Sequence, residues 1–274
     1  MREMATTRKL IAVVCEGGGM RCAYTGGALS ALALKFKCTS PDIIIASSGS
    51  AAMALYYLTG QYDAIKAICV RLLSTRKFIS LLRFWRIVDI DYLVDHVFKK
   101  DVPLDTRCLR KSNTHYFISL TDAKTGNIHY ACREDGIDPF ELLRATKAMP
   151  LLFGKRVSIN GTAYIDGEFL GTLGEMVTKA EEAGATDIIV IDNSPGPTIY
   201  DLFKWFFRKI YFPRLGSKKE RGANIGPRII VIKNKTIPAG LLTTKNETLE
   251  KTFWLGYDDA VRSRELEDLF REKS

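Results

Sequence analysis

The segment Ala46-Ser47-Ser48-Gly49-Ser50 follows an apolar run, Asp42-Ile43-Ile44-Ile45, and leads into the Ala- and Leu-rich stretch Ala51–Leu58. A serine on a tight turn from strand to helix projects its hydroxyl beside the free N–H groups of the helix. Small neighbours are needed because strand and helix nearly touch there. This is one way to present a serine nucleophile; capping the helix is the simpler use of the same residues. The turn departs from the usual G-x-S-x-G, with Ala46 and Ser50 standing in place of both glycines. Ser47 and Ser48 are the two serines that this turn could present.

A second stretch, Cys15-Glu16-Gly17-Gly18-Gly19-Met20-Arg21, closes the apolar run Leu10–Val14 and opens a helical sequence. Three successive glycines are costly in conformational entropy. Bare N–H groups beside a helix start and the Arg21 cation suit an anion, or an oxyanion formed during a reaction. Arg21 has two readings of equal weight, a contact to phosphate or a local salt bridge.

A nucleophilic serine needs a base. His96 lies in a charged segment, and His115 and His129 lie within strand-like runs, so each reads as a solvated or packed histidine. The third stretch, Tyr164-Ile165-Asp166-Gly167-Glu168, follows a turn at Asn160-Gly161. An aspartate serves directly when partial burial raises its pKa above about 3.9.

These segments resemble the patatin-like phospholipases. Glu16–Arg21, Asp42–Ala51 and Asp166–Glu168 come in the family's order, and Ala145–Phe153 resembles its segment before the aspartate. Together they cover about the first two thirds of the chain. The resemblance implies a three-layer α/β/α fold with a mostly parallel central sheet, and a Ser–Asp dyad without histidine, metal or cofactor. It places Ser48 at the nucleophile and Asp166 at the base. It places Gly17, Gly18 and Gly19 in the oxyanion hole, and Arg21 beside it as the substrate- or anion-binding residue. The substrate class it implies is a phospholipid or other fatty acyl ester. Four departures bear on this reading. Ala46 and Ser50 add atoms at the elbow, Cys22 follows the arginine, and Glu168 sets a carboxylate near the base, where it would raise the pKa of Asp166.

Three other readings stay open. Strand, Gly-rich turn and helix also open a dinucleotide-binding domain, although Cys22 stands at the last glycine of G-x-G-x-x-G. A lipid-binding protein with a decayed elbow fits Ala46 and Ser50. An acyltransferase would use the same acyl-serine.

The elements that hold these residues alternate. Strands are expected at Lys9–Cys15, Asp42–Ile45, His115–Thr121, Ile128–Cys132, Thr186–Asp192 and Arg228–Ile232. Helices are expected at Tyr24–Leu34, Ala51–Leu58, Pro139–Met149 with Asp138 as cap, and Gly171–Ala183, and the segment 253–260 belongs to a closing helix. Continuous apolar strands between helices imply a sheet covered on both faces, with ligands at the strands' carboxyl ends. The 274 residues read as a single domain. No run of about 18 apolar residues would span a membrane. The N-terminus lacks the pattern of a secretory signal. The six cysteines lack metal or disulfide spacing, which suits reduced thiols in the cytoplasm.

A net charge of +9 favours anionic partners. No nucleic-acid module is recognisable. Two segments, 71–86 and 200–221, interleave aromatics with Lys and Arg and read as basic amphipathic helices. Such helices suit an anionic membrane surface, a lid, a dimer contact or a packed helix with a solvated basic face. The sequence leaves the oligomeric state undetermined.

Overall fold

The computed structural model describes residues 9–83, 86–150, 152–196, 202, 204–206, 209–210, 212 and 226–271. Eight strands form one sheet: β1 (Ile11–Cys15), β2 (Ile43–Ala46), β3 (His115–Asp122), β4 (Ile128–Ala131), β5 (Val157–Ile159), β6 (Thr162–Asp166), β7 (Asp187–Asp192) and β8 (Arg228–Lys233). Their order is β5-β6-β3-β2-β1-β7-β8, with β4 also paired to β3. From β3 to β8 every neighbour is parallel, while β4, β5 and β6 pair antiparallel. The fold is therefore α/β/α with a mostly parallel central sheet.

The helices are α1 (Cys22–Leu34), α2 (Ser48–Leu58), α3 (Tyr62–Ala67), α4 (Ile90–Tyr92), α5 (Thr106–Lys111), α6 (Pro139–Thr146), α7 (Leu173–Glu182), α8 (Asn246–Val261) and α9 (Arg264–Arg271). Because strand side chains alternate between faces, β1 divides its residues between two cores. Ile11, Val13 and Cys15 pack with α1, α2 and α8. Ala12 and Val14 pack with Met176 and Ala180 of α7. Both faces are apolar, as the uninterrupted strand sequences require.

The strand and helix expectations hold to within a few residues at their ends. Asp138 caps α6, accepting the Phe140 and Glu141 amides at 2.9 and 3.2 Å. The Asp122–Asn127 turn joins β3 to β4, with the Asp122 carboxylate accepting the Lys124 and Thr125 amides at 2.7 and 2.9 Å.

The segment 71–86 differs from expectation. Its helical winding ends at Leu72, and the chain then turns back so that Ile79 pairs with Val88 in an isolated antiparallel bridge. The Arg83 guanidinium supplies the reason. It donates to the carbonyls of Arg76, Lys77 and Phe78 at 3.3, 3.1 and 3.1 Å, replacing the partners a helix would give them. Phe78 and Ile79 turn inward, while Leu81 and Leu82 are 72% and 82% exposed at the tip. Phe84 and Trp85 lie outside the described residues. In the second basic segment, residues 202, 204–206 and 209–210 are helical, and Lys209 Nζ sits 4.2 Å from the centre of the Trp205 ring. Its remaining residues, apart from Phe212, lie outside the described set.

Candidate functional site

At the carboxyl end of β2 the chain turns sharply into α2. Ser47 is extended, with φ −132°, and Ser48 takes φ +47°. A positive φ is uncommon for a residue other than glycine and marks a turn held by its surroundings. The Ser48 amide donates to Thr146 Oγ1 at 2.9 Å, and that hydroxyl donates to the Ser119 carbonyl of β3 at 2.9 Å. Lys147 Nζ, buried, donates to the Ser48 carbonyl. Desolvation lowers the Lys147 pKa to about 8. The Ala145–Phe153 segment thus clamps the elbow through residues 146 and 147.

Ser48 and Asp166, 118 positions apart in sequence, meet. Ser48 Oγ donates to Asp166 Oδ2 at 2.6 Å, and both residues are buried. Asp166 ends β6, whose pairing with β3 sets it beside the elbow. Its other oxygen accepts the Glu168 amide at 2.8 Å. Burial, then the Glu168 carboxylate, pushes the Asp166 pKa up to about 7. Ser47 Oγ is buried without a hydrogen-bond partner. None of the three histidines lines this cleft. His96 stacks on Tyr92, and His129 stacks on Tyr164 and lies 3.6 Å from Asp135.

The Gly-rich loop passes directly over the elbow. A methyl added to Gly17 would lie 3.0 Å from Ser48 Cβ, and one on Gly49 would lie 2.5 Å from the Gly19 carbonyl. Gly18 adopts φ +106°, which few other residues tolerate. Its N–H is already engaged, donating to Glu168 Oε2 at 2.6 Å. Arg21 lines the cleft with Ser48 and Asp166, and its Nε is buried without a partner.

Ser50 does not collide with the loop; it supports it. Its hydroxyl donates to Thr25 Oγ1 at 3.0 Å and sits 3.5 Å from the Gly17 carbonyl. Asn193, just past β7, donates to the carbonyls of Glu16 and Gly17 and lies 3.0 Å from Thr25 Oγ1. Holding these two carbonyls inward fixes the plane of the glycine peptides. Asn193 carried no signal in the sequence, and Thr146 and Lys147 stood out only as part of the Ala145–Phe153 segment, with no role of their own. A lysine inside the apolar run Ala145–Met149 was the one readable hint.

A narrow apolar cleft opens beside Ser48. Met53, Phe78, Ile79, Leu93, Phe98 and Leu241 are among its walls. The turned-back 71–86 segment supplies two of them. It is anchored at its base by Asp91, which pairs with Arg86 and Arg144 and takes Lys155 at 2.8 Å.

A central, mostly parallel sheet with a serine elbow under a glycine loop defines a class of lipid hydrolase folds. The chain belongs to the patatin-like phospholipase family, whose model matches residues 13–177. It is 27% identical over 211 residues to the uncharacterized protein YjjU of Escherichia coli K12, covering 72% of this chain and 56% of that protein. The chain therefore spans little more than half the length of this curated relative. Among solved structures, VipD from Legionella pneumophila superposes with a TM-score of 0.58 at 13% identity, covering 96% of this chain and 68% of VipD. Human GIVD cytosolic phospholipase A2, in complex with methyl γ-linolenyl fluorophosphonate, gives 0.51 at 11% identity, covering 96% and 58%. These two likenesses establish the fold. No described helix is long and apolar enough to cross a membrane.

Proposed function

We propose that this protein is a serine acyl hydrolase of the phospholipase A, lysophospholipase or esterase type, acting on fatty acyl esters with Ser48 as nucleophile and Asp166 as base. The observation that carries the reading is the 2.6 Å hydrogen bond between Ser48 Oγ and Asp166 at a serine of positive φ. Asp166 takes the hydroxyl proton as Ser48 Oγ attacks the acyl carbon. The carbonyl oxygen, now anionic, is received by amides of the Gly17–Gly19 loop. When the tetrahedral intermediate collapses, the leaving alcohol takes the proton from Asp166. Water then attacks the acyl-serine by the same route in reverse, giving the fatty acid. The apolar cleft beside Ser48 suits the acyl chain, and Arg21 at its rim suits a phosphate.

The Glu168 carboxylate on the Gly18 amide favours a second reading, a catalytically restrained lipid-binding protein, because the oxyanion would have to displace it. An acyltransferase would share every step up to the acyl-serine. Six free cysteines support a reducing, cytoplasmic setting, and the exposed Leu81–Leu82 tip supports contact with an anionic membrane surface. We take the whole chain as one domain, since residues from β1 through β7 build the site.

The test is labelling with a fluorophosphonate together with hydrolysis of p-nitrophenyl esters and lysophospholipids. Ser48→Ala and Asp166→Asn are each expected to abolish labelling and to lower kcat by about 10³-fold or more. Labelling of the native chain without ester turnover would favour the transferase reading, and absence of labelling would favour the restrained lipid-binding one. Hydrolysis that survives both substitutions would overturn the mechanism.

A further inference from the structure

A second cavity, of about 180 Å³, lies across the sheet from the apolar cleft. Residue parity places it. Val14 and Ile45 face α7, so Glu16 and Ser47, two positions on, face the same way at the strands' carboxyl ends. Ser119 and Tyr130 complete the polar wall, and Leu173 and Met176 of α7 close the far side. Lys204 stands where this cavity and the catalytic cleft adjoin, and so does Glu168.

Four of these wall residues carry an orphaned polar atom. Glu16 Oε2, Ser47 Oγ, Ser119 Oγ and Tyr130 Oη are all buried without a hydrogen-bond partner. Ser47 and Ser119 are 1% and 2% exposed. A native interior leaves few such atoms, because each costs about 1–3 kcal/mol when unmet. The four converge on one cavity and present it with a set of hydrogen-bonding positions. The space holds several water molecules, enough for a small polyol with bridging water.

We propose that this cavity binds an uncharged, polyhydroxylated group the size of glycerol to inositol. Three hydroxyls and a carboxyl offer both donors and acceptors, which is what a run of alcohols needs. The Glu168 carboxylate, with Asp192 behind Glu16, opposes a phosphate. Burial, then the neighbouring Asp192, raises the Glu16 pKa. A carboxyl shifted this way gives a weaker hold on a cation than an ordinary carboxylate. The binding claim stands apart from the hydrolase reading. Its link to turnover rests on that reading: the polyol would be either the alcohol part of a substrate ester or an alcohol that accepts the acyl group.

Saturation-transfer NMR on the full-length Ser48→Ala chain, with glycerol, myo-inositol and choline as probes, tests binding without any catalysis. Glycerol or inositol is expected to bind, with choline weaker. Tyr130→Phe is expected to weaken binding several-fold, and Tyr130→Phe with Ser119→Ala by about tenfold. Thermal melting of each variant checks that it is folded, and the single-oxygen Tyr130→Phe change keeps the test valid should the double variant not fold. Absence of polyol binding, equal binding by the folded variants, or preference for choline would overturn the proposal. In the native chain, formation of acylglycerol from a p-nitrophenyl ester marks an acceptor alcohol, whereas glycerol raising KM for a glycerolipid marks a substrate group.

Discussion

A carboxylate two residues from the proposed base changes how that base titrates. Glu168 holds the Asp166 pKa up and occupies the Gly18 N–H, so it acts on both halves of the proposed chemistry. Asp166 must be ionised to accept the serine proton, so kcat/KM is expected to rise with pH through a midpoint near 7. Glu168→Ala removes the repulsion and frees the amide. The midpoint should move to lower pH and kcat should rise several-fold, within the 10²–10³ that one oxyanion donor is worth. A pH–rate profile that is unchanged in this variant would show that Glu168 bears on neither group. Stability follows the same proton. The folded chain keeps Asp166 protonated up to about 7, whereas the unfolded chain releases the proton near its ordinary value of 3.8. The contribution is full below that ordinary value and is lost as pH rises towards 7. Asp166→Asn should therefore gain stability over the native chain between pH 5 and pH 8, read as a growing gap in urea midpoint. A gap that stays constant would place the carboxyl in water.

Helices α1 and α8 meet through paired glycines. A methyl on Gly256 would lie 2.0 Å from the Tyr24 carbonyl, and one on Gly27 would lie 1.8 Å from the Phe253 carbonyl. Neither helix backbone can yield locally. Gly256→Ala is expected to cost about 1–3 kcal/mol by forcing the helices apart, measured by denaturant unfolding; an unchanged midpoint would mean the helices are already loose. Gly256 reads in sequence only as a tolerated helix interior position, because its partner lies more than 200 residues away. The same limit explains the rest. The elbow and the glycine loop were legible because each sits at the end of a locally patterned strand, whereas Asp166 ends a strand, β6, that was not among those expected and was legible only from its place in the order of family-like segments. Thr146, Lys147 and Asn193 act through partners 98 to 177 positions distant, which no local pattern records. Ser50 looked like an obstruction because its acceptor, Thr25, belongs to another helix. The 71–86 segment was misread because one side chain, Arg83, meets the carbonyls that a helix would have used.

At the scale of the whole molecule, one turn joins two exposed leucines and two exposed cations to walls of the apolar cleft. Phe78 and Ile79 line that cleft, and Leu81 and Leu82 project from the same turn with Arg76 and Lys77 exposed beside them. Arg83 and Arg86 are held by Asp89 and Asp91, and the exposed Arg76 and Lys77 next to the tip are the cations placed to meet a surface. Leu81→Asp with Leu82→Asp is expected to lower binding to anionic vesicles at least tenfold while leaving hydrolysis of a soluble ester unchanged. Equal co-sedimentation of the two proteins would remove this tip from membrane contact.

The stretch matched by the family model stops at residue 177, yet Asn193 and Leu241 lie beyond it. One grips the glycine loop from below; the other accepts the Met20 amide from above at 3.1 Å. A chain cut at that boundary would keep every recognisable signature and lose the vice that gives them their shape.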